Sequence, residues 1–257
     1  MRLDVYLFNN GYCKSRQKAK NLIEEKAVLL NGKIVNKPSY EIDEASTYEI
    51  SINDTCPYVS RGGLKLKAII DFAGISVKNA ICVDIGSSTG GFTDCLLKEG
   101  ASKVFAVDTG ENQLDISLQE DERVYYLENF NARYLTFDKI GTSVDIICID
   151  VSFISQTLIF PVVSSLLTEK GLFLSLIKPQ FEVGRENISK GGIVKNKKHH
   201  IIAIEKIIDC GESLGFNCTH VIKSPIEGGD GHIEYLAVFS KTGKSINKNI
   251  IKNLITY

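Results

Sequence analysis

A glycine-rich turn is the strongest chemical signal in this chain. Residues 84 to 92 read Asp-Ile-Gly-Ser-Ser-Thr-Gly-Gly-Phe and lie between the apolar run 80 to 83 and a helical segment that begins at Thr93. Such a strand-to-helix turn indicates a bound cofactor, although another α/β protein could carry it without one. A dinucleotide site needs a second glycine where this turn has Ser88, so the spacing disfavours NAD and FAD.

Asp108 closes the next predicted strand, 22 residues after Gly86. A carboxylate at that position binds the two hydroxyls of a ribose. S-adenosylmethionine has a ribose and no pyrophosphate, so we predict it as the cofactor. The expected contacts come from the turn, from the strand end and from the segment after the following strand: Asp84, Gly86, Ser88, Gly90, Gly91, Phe92, Asp108, Asn129 and Asn131.

Four charged residues are candidates for catalysis, because ligands of open α/β sheets bind outside the carboxyl ends of the strands. Asp150 and Lys178 each end an apolar run, Glu234 precedes the last predicted strand, and Lys65 precedes the sheet. Each has an ordinary alternative explanation when taken alone. A lysine at a strand end is usually solvated, and Asp150 could simply cap the helix near Ser155.

The four charged residues and the glycine-rich turn belong to five short sequence segments. They are S-R-G-G-x-K-L at 60–66, D-x-G-S-S-T-G-G-F at 84–92, D-V-S-F-I-S at 150–155, K-P-Q-F-E at 178–182 and E-Y at 234–235. In this order they resemble the TlyA family, often labelled haemolysin A. Its members are 2′-O-methyltransferases of ribosomal RNA that join a domain like that of ribosomal protein four to an FtsJ-type methyltransferase domain.

The resemblance implies a catalytic set of Lys65, Asp150, Lys178 and Glu234, and methylation of a cytidine ribose. It departs from the longer members of the family in one respect, because Arg2 already begins the first helix and their N-terminal extension is not seen. This difference favours large-subunit RNA as the target.

A ribose 2′-hydroxyl must lose its proton as it attacks the sulfonium methyl group. Lysine is charged near neutral pH, but burial and a neighbouring cation lower its pKa and make it a usable base. We expect Lys65 and Lys178 to lower each other's pKa, with Lys178 as the base and Asp150 orienting it. Lys65 and Glu234 would position the ribose. Asp150 and Glu234 oppose the pKa shift, and a charged lysine could instead stabilise the developing alkoxide.

Other functions are less consistent with the residues. An amino-group methyltransferase would show Asn or Asp followed by Pro-Pro and an aromatic residue, where this chain has Asp150-Val151-Ser152-Phe153. A ring-carbon enzyme would need a cysteine in a polar turn, whereas Cys148 lies within an apolar run. Two alternatives of other classes are a membrane-active haemolysin and a noncatalytic RNA-binding assembly factor.

The first forty residues predict a small basic module. They contain eight Lys or Arg residues and three acids, and the predicted elements are a helix from Leu3 to Gly11, a helix from Ser15 to about Glu25, and a hairpin at Asn31-Gly32. Strands are expected over 41–53. The module resembles the RNA-binding domain of the ribosomal protein four family. That resemblance implies RNA contacts through four basic residues of the module, Arg2, Arg16, Lys20 and Lys33. We also expect a contact through Arg61, which follows the linker.

The rest of the chain alternates strands with helices, with strands near 80–85, 102–108, 123–128, 145–151, 171–178, 217–223 and 234–240. This pattern predicts a doubly wound, mostly parallel Rossmann-like sheet, and the last two strands, as a hairpin, add an antiparallel strand. Residues 54–58 are the expected linker between domains at 1–58 and 59–257. The 7 cysteines show no metal-binding spacing, and no spanning or signal segment is seen. We therefore expect a cytoplasmic protein with a ribosomal RNA or subunit partner, no metal and no obligate protein partner.

Overall fold

The computed structural model describes residues 1–13, 15–24, 26–53 and 56–256. The chain forms two compact units, Met1–Ser60 and Arg61–Tyr257. Residues 54 and 55 of the expected linker, and Glu25 at the expected end of the second helix, lie outside the described residues. No helix among the described residues is long and apolar enough to cross a membrane.

The first unit contains two helices and a small antiparallel sheet. Its elements are α1 (Leu3–Asn9), α2 (Arg16–Glu24), β1 (Val28–Leu30), β2 (Lys33–Ile34) and β3 (Ile50–Ile52), with strand order β2-β1-β3. The Ser15 hydroxyl accepts a hydrogen bond from Lys18 N, which confirms the predicted helix cap. Asn31 and Gly32 have φ values of 48° and 75°, the left-handed conformation that a two-residue hairpin turn requires.

The prediction of strands throughout 41–53 is wrong in its first half. Only Ile50–Ile52 is a strand there, and Glu41 forms an isolated bridge with Arg2. The Asp43 carboxylate accepts hydrogen bonds from Ala45 N and from the Ser46 hydroxyl. These side-chain bonds form a local turn in competition with a strand ladder.

The second unit is a layered α/β domain. Its strands are β4 (Ile81–Ile85), β5 (Lys103–Val107), β6 (Val124–Leu127), β7 (Val144–Ile149), β8 (Leu167–Ile177), β9 (Asn217–Lys223) and β10 (Tyr235–Ser240). Its helices are α3 (Gly62–Ala73), α4 (Gly91–Lys98), α5 (Ile116–Gln119), α6 (Phe137–Ile140), α7 (Phe160–Leu166), α8 (Lys197–Ser213) and α9 (Asn249–Thr256). Short 3₁₀ turns occur at Ala132–Tyr134, Gln156–Leu158, Pro179–Phe181, Arg185–Asn187 and Gly229–Gly231.

The described residues of this unit form a seven-stranded sheet in the order β6-β5-β4-β7-β8-β10-β9. β10 is antiparallel to both β8 and β9, and the other pairs are parallel. The predicted fold class is therefore confirmed. The chain enters the sheet at β4, continues outward through β5 and β6, and returns to the other side of β4 with β7. The edge between β4 and β7 is thus a topological switch point, where such sheets bind ligands.

Alternating residues of the strands face two different layers of helices. Phe173 of β8 and Phe239 of β10 are fully buried and pack with Phe160 of α7, with ring centroids 4.8 to 5.6 Å apart. On the opposite face, Asp84 of β4 bonds to Thr93 of α4. Burial on both faces explains why the strands are nearly continuous apolar runs.

The turn after β4 packs directly against the end of β7. Gly86 has a φ of 83°, and its N–H and that of Ser87 both donate to Val107 O, at 2.8 and 3.2 Å. A Cβ added to Gly86 would overlap the backbone carbonyl of Asp150. Glycine is therefore required at this position for two reasons, the left-handed backbone and the close approach of β7.

We expect Gly86→Ala to destabilise the second unit more than Gly215→Ala. Both glycines have a φ of 83°, but an added Cβ at Gly215 meets no atom within 4 Å. The control therefore measures the conformational cost alone, about 1–2 kcal/mol, and the overlap with Asp150 adds about 1–3 kcal/mol. Urea unfolding followed by circular dichroism measures both. Equal losses of unfolding free energy in the two variants would show that the end of β7 moves to accommodate the added methyl group.

Candidate active site

The four charged residues singled out from the sequence meet at one edge of the sheet. Asp150 follows β7 and Lys178 follows β8, and both strands point the same way. β10 runs in the opposite direction, so Glu234, which precedes it, lies at the same edge. Lys65 reaches this edge from the first turn of α3.

Two short ion pairs hold the four side chains. Lys178 Nζ lies 2.5 Å from Asp150 Oδ1, and Lys65 Nζ lies 2.6 Å from Glu234 Oε2. The side chains of Lys65 and Glu234 are 11% and 3% exposed, so this pair is almost completely removed from water. Lys178 Nζ also donates to the Ser152 hydroxyl at 3.1 Å. The capping alternative for Asp150 does not hold, because Ser155 itself accepts the hydrogen bond from Thr157 N.

The expected lowering of the lysine pKa is wrong for Lys178. Burial lowers the pKa of this ammonium group, but the adjacent Asp150 carboxylate and the charge of Glu234 outweigh it, so the pKa is raised above 10.5. Lys65 forms an ion pair with Glu234, so the positive charge of one side chain is balanced by the negative charge of the other. Lys178 is consequently protonated at neutral pH in this arrangement.

A buried carboxylate fixes the two loops that carry Asp150 and Lys178. Glu182 accepts hydrogen bonds from the Ser155 hydroxyl at 2.5 Å and from Gln156 N at 2.9 Å, and Lys206 Nζ lies 3.0 Å from it. Since Glu182 lies in the loop after β8 and Ser155 in the loop after β7, these bonds tie one loop to the other. The K-P-Q-F-E segment therefore contains both the carboxylate that ties the two loops together and Lys178.

A cavity of about 450 Å³ opens between the turn after β4 and the ends of β5 and β7. This volume lies in the range of small-molecule sites. Of the expected cofactor contacts, the cavity is lined by Gly86, Ser88, Asp108 and Asn131, and Asp150 also borders it. Asp108 accepts Ser88 N at 2.8 Å and Gly110 N at 2.7 Å through different oxygens. Each oxygen keeps a second lone pair, which suits the two hydroxyls of a ribose.

The other expected contacts do not line this cavity. Asp84 is fully buried and accepts both the Thr93 N–H and the Thr93 hydroxyl, so it anchors the turn to α4, and burial raises its pKa to about 7. Gly90 is the N-cap residue of α4 and has a φ of 92°, and a Cβ there would overlap the side chain of Leu118. The remaining three residues lie outside the cavity lining. Gly91 and Phe92 are in the first turn of α4, and the Asn129 side chain donates a hydrogen bond to Glu111.

Phe153 borders the cavity and was not identified from the sequence. Its side chain is 93% exposed although it is aromatic, its φ is 64°, and its ring lies 5.2 Å from that of Phe181. A bulky residue in the left-handed region is a genuine outlier that concentrates at functional sites. Its place in the D-V-S-F-I-S segment could have indicated a role at the site. Its exposure and its backbone conformation could not be predicted from the sequence.

Two of the expected RNA contacts, Arg2 and Arg16, surround one buried acid. Asp4 is 1% exposed and accepts hydrogen bonds from Arg2 Nε at 2.9 Å, Arg2 Nη2 at 3.2 Å and Arg16 Nε at 2.9 Å. Burial raises the pKa of Asp4, but its bonds to Arg2 and Arg16 outweigh this effect and hold the pKa below its usual value. The other contacts lie elsewhere: Lys20 faces Glu24 at 3.9 Å, Lys33 is exposed on β2, and Arg61 precedes α3.

Comparisons with known proteins agree with this arrangement. Residues 58–241 match the model of the FtsJ-like methyltransferase family, and residues 1–46 match that of the S4 domain. Hemolysin A of Brachyspira hyodysenteriae is 46% identical over 93% of this chain and 99% of that protein. The 23S rRNA (cytidine-2′-O)-methyltransferase TlyA of Campylobacter jejuni is 37% identical over 94% of this chain and 100% of that protein.

A solved structure from Streptococcus thermophilus that carries a hemolysin name covers 100% of this chain and 94% of its own, with a TM-score of 0.79 and 37% identity. These matches extend over both units and include the segments that carry the four charged residues. The chain therefore belongs to the TlyA family of FtsJ-like methyltransferases and begins with an S4 domain.

Proposed function

We propose that the chain transfers a methyl group from S-adenosylmethionine to the 2′-hydroxyl of a cytidine in ribosomal RNA, with large-subunit RNA as the favoured target. The observation that carries this proposal is the convergence of two ion pairs at one edge of the sheet, where Asp150, a member of one pair, also lines the cavity. The name of the Campylobacter relative supports the nucleoside and the subunit. We place the activity in the cytoplasm, on RNA or a subunit, without an obligate protein partner.

The residues around the cavity fit S-adenosylmethionine. Asp108 would hold the ribose hydroxyls, and Gly86 and Ser88 would allow close approach of the cofactor to the turn. Asn131, which also lines the cavity, would contact the adenine. When bound, the cofactor supplies an electrophilic methyl group on a sulfonium centre. Asp150 borders the same cavity, so Lys178, which is paired with it, lies within reach of a hydroxyl that approaches this methyl group.

Lys178 is the proposed base. In its neutral form it accepts the 2′-hydroxyl proton as the new O–CH₃ bond forms. Because its pKa is raised, the neutral form is rare at neutral pH, and the rate should be limited by the fraction of neutral lysine. A charged Lys178 that stabilises the developing alkoxide is the competing role, and the two roles have opposite pH dependence. Lys65 and Glu234 would position the ribose.

RNA would be held by both units. In the S4 domain, Asp4 holds the Arg2 and Arg16 guanidinium groups side by side while both remain about half exposed, an arrangement suited to a phosphate. Lys20, Lys33 and Arg61 would add charge along the RNA. In the second unit, the exposed ring of Phe153 would stack on an unpaired base at the rim of the cavity.

Loss of either catalytic lysine should abolish methyl transfer. We expect Lys178→Ala and Lys65→Ala to lower the rate at least 100-fold, the usual contribution of a positioned acid or base. Their affinity for S-adenosylmethionine should change little, because the cavity walls remain. Transfer of a tritiated methyl group to unmethylated ribosomal RNA measures the rate, and calorimetry measures cofactor binding.

Lys67→Ala is the matched control, because Lys67 lies on the same helix but pairs with the surface residues Asp71 and Glu99. If Lys65→Ala fails to fold because it leaves Glu234 buried without a partner, the double variant with Glu234→Gln removes that charge. Normal transfer by both lysine variants would contradict the enzyme proposal. Cell lysis by lipid-free Lys178→Ala protein would support the haemolysin alternative.

Asp150→Asn should shift the pH profile of methyl transfer to lower pH. In the wild type, the rate should rise from neutral to alkaline pH as Lys178 loses its proton. Asn at position 150 removes the main cause that raises the Lys178 pKa and leaves burial, which lowers it, opposed by the smaller effect of the Glu234 charge. The rising limb should therefore begin at lower pH, even though the maximal rate falls. Initial rates at saturating cofactor test this, and a rate that falls with pH in the variant would assign Lys178 to alkoxide stabilisation.

Asp4→Asn should weaken RNA binding although it makes the S4 domain more positive. If the arginines acted only as diffuse charge, removal of a carboxylate would strengthen binding at low salt. We expect a five- to tenfold weaker affinity, on the order of 1 kcal/mol, because the guanidinium groups lose their common anchor. Asp43→Asn is the matched control, with the same charge change at an exposed turn. Filter binding of ribosomal RNA over a salt series measures the affinity of both variants. Tighter binding by Asp4→Asn would contradict the proposal that Asp4 positions Arg2 and Arg16 for a phosphate.

A further inference from the structure

A second cavity lies at the catalytic edge of the sheet, on the face opposite Lys65. Its volume is about 330 Å³, and we name it the basic pocket after its charged residues. Its polar lining residues are Lys195, Lys197, His200, Lys223 and Tyr235, and Leu254 belongs to its apolar wall. The other described residues that line it are apolar apart from backbone, and none of the described lining residues is Asp or Glu.

The floor of the basic pocket is buried, hydrogen-bonded and uncharged. Tyr235 is 2% exposed, and its hydroxyl lies 3.1 Å from His200 Nδ1. His200 Nε2 lies 2.8 Å from Val194 O, so this nitrogen must donate and Nδ1 must accept the tyrosine proton. Burial, and to a smaller extent the charges of His199 and Lys223, lower the pKa of His200 and keep the imidazole neutral. The positive charge of the pocket therefore comes from its lysines.

The lysines lie at the mouth of the pocket. Lys195, Lys197 and Lys223 are exposed, and neither Lys195 nor Lys223 has an ion-pair partner among the described residues. A buried apolar interior with ammonium groups at its opening fits a ligand that has a flat, weakly polar part and a phosphate. A nucleotide has both parts, and proteins commonly bind unpaired bases in this way.

The position of the pocket relates it to the catalytic groups. Tyr235 forms the floor of the basic pocket, and the preceding residue, Glu234, pairs with Lys65 on the other face of the sheet. Tyr235 also lies opposite Ile177, the residue before Lys178. A strand of RNA that crosses this edge would therefore place one nucleotide at the ion pairs and a neighbouring one at the pocket.

We propose that the basic pocket binds one unpaired nucleotide of the RNA that flanks the methylated residue, with its base against the apolar wall and its phosphate at Lys195 and Lys223. This inference rests on the proposed function and extends it, because it assigns part of the recognition of the RNA to a surface away from the S4 domain. The pocket contributes to RNA binding and leaves the cofactor cavity unaffected.

The test compares two double variants that remove the same charge. Lys195→Ala with Lys223→Ala should raise KM for unmethylated large-subunit RNA about tenfold. It should also reduce the salt dependence of binding by roughly one phosphate contact. Lys190→Ala with Lys198→Ala removes two exposed lysines that do not line the pocket and should have a clearly smaller effect. Leu254→Trp should fill the interior and raise KM with an unchanged salt dependence. S-adenosylmethionine affinity should be the same in all variants.

Equal changes in KM for the two lysine double variants, or an unchanged KM in Leu254→Trp, would contradict nucleotide binding at the basic pocket. Binding of free cytidine or adenosine monophosphate that is lost in Lys195→Ala with Lys223→Ala, without a change in KM for RNA, would assign the pocket to a small nucleotide instead. A wild-type chain that methylates no ribosomal RNA would refute the proposed function itself, whereas normal wild-type activity with unaffected pocket variants would refute only this inference.

Discussion

The arrangement of this active site depends on two cation–carboxylate pairs held at one edge of a sheet. Removing four charged groups from water is costly, and the attraction within each pair offsets that cost only at short distance and with good geometry. Lys65 with Glu234 and Lys178 with Asp150 meet this requirement at 2.6 and 2.5 Å. Loss of one partner would leave a charge that is poorly hydrated, so each pair constrains the position of the elements that carry it.

The antiparallel strand β10 is what makes this convergence possible. In a wholly parallel sheet, a residue that precedes a strand lies at the edge opposite the ligand. Because β10 runs against β8, Glu234 reaches the edge where Asp150 and Lys178 follow their strands. The same reversal places Tyr235 opposite Ile177, so the sheet brings Glu234 and the basic pocket to the catalytic edge together.

Much of this could be predicted from the sequence because it follows from local patterns. Apolar runs located the strands, and a charged residue at the end of a run must lie at the sheet edge, which was enough to find Asp150 and Lys178. Other properties depend on packing between distant segments. Gly90 is needed for its contact with Leu118, Asp84 anchors Thr93, and Phe153 is exposed in a left-handed conformation. The pKa of Lys178 depends on the distances to Asp150 and Glu234, which spacing along the chain cannot supply.

The same arrangement recurs in both units: a carboxylate fixes the position of a cation that we propose to contact the RNA. Asp4 does this for Arg2 and Arg16, Asp150 for Lys178, and Glu234 for Lys65. Each pairing reduces the local positive charge, which is consistent with a net charge of −1 in a chain expected to bind RNA. If these cations bind RNA as proposed, the affinity would rely on a few cations at fixed positions more than on charge density. Fixed cations bind a particular backbone geometry, whereas diffuse charge attracts any polyanion, so the proposed RNA contacts would exchange non-specific affinity for discrimination among RNA structures.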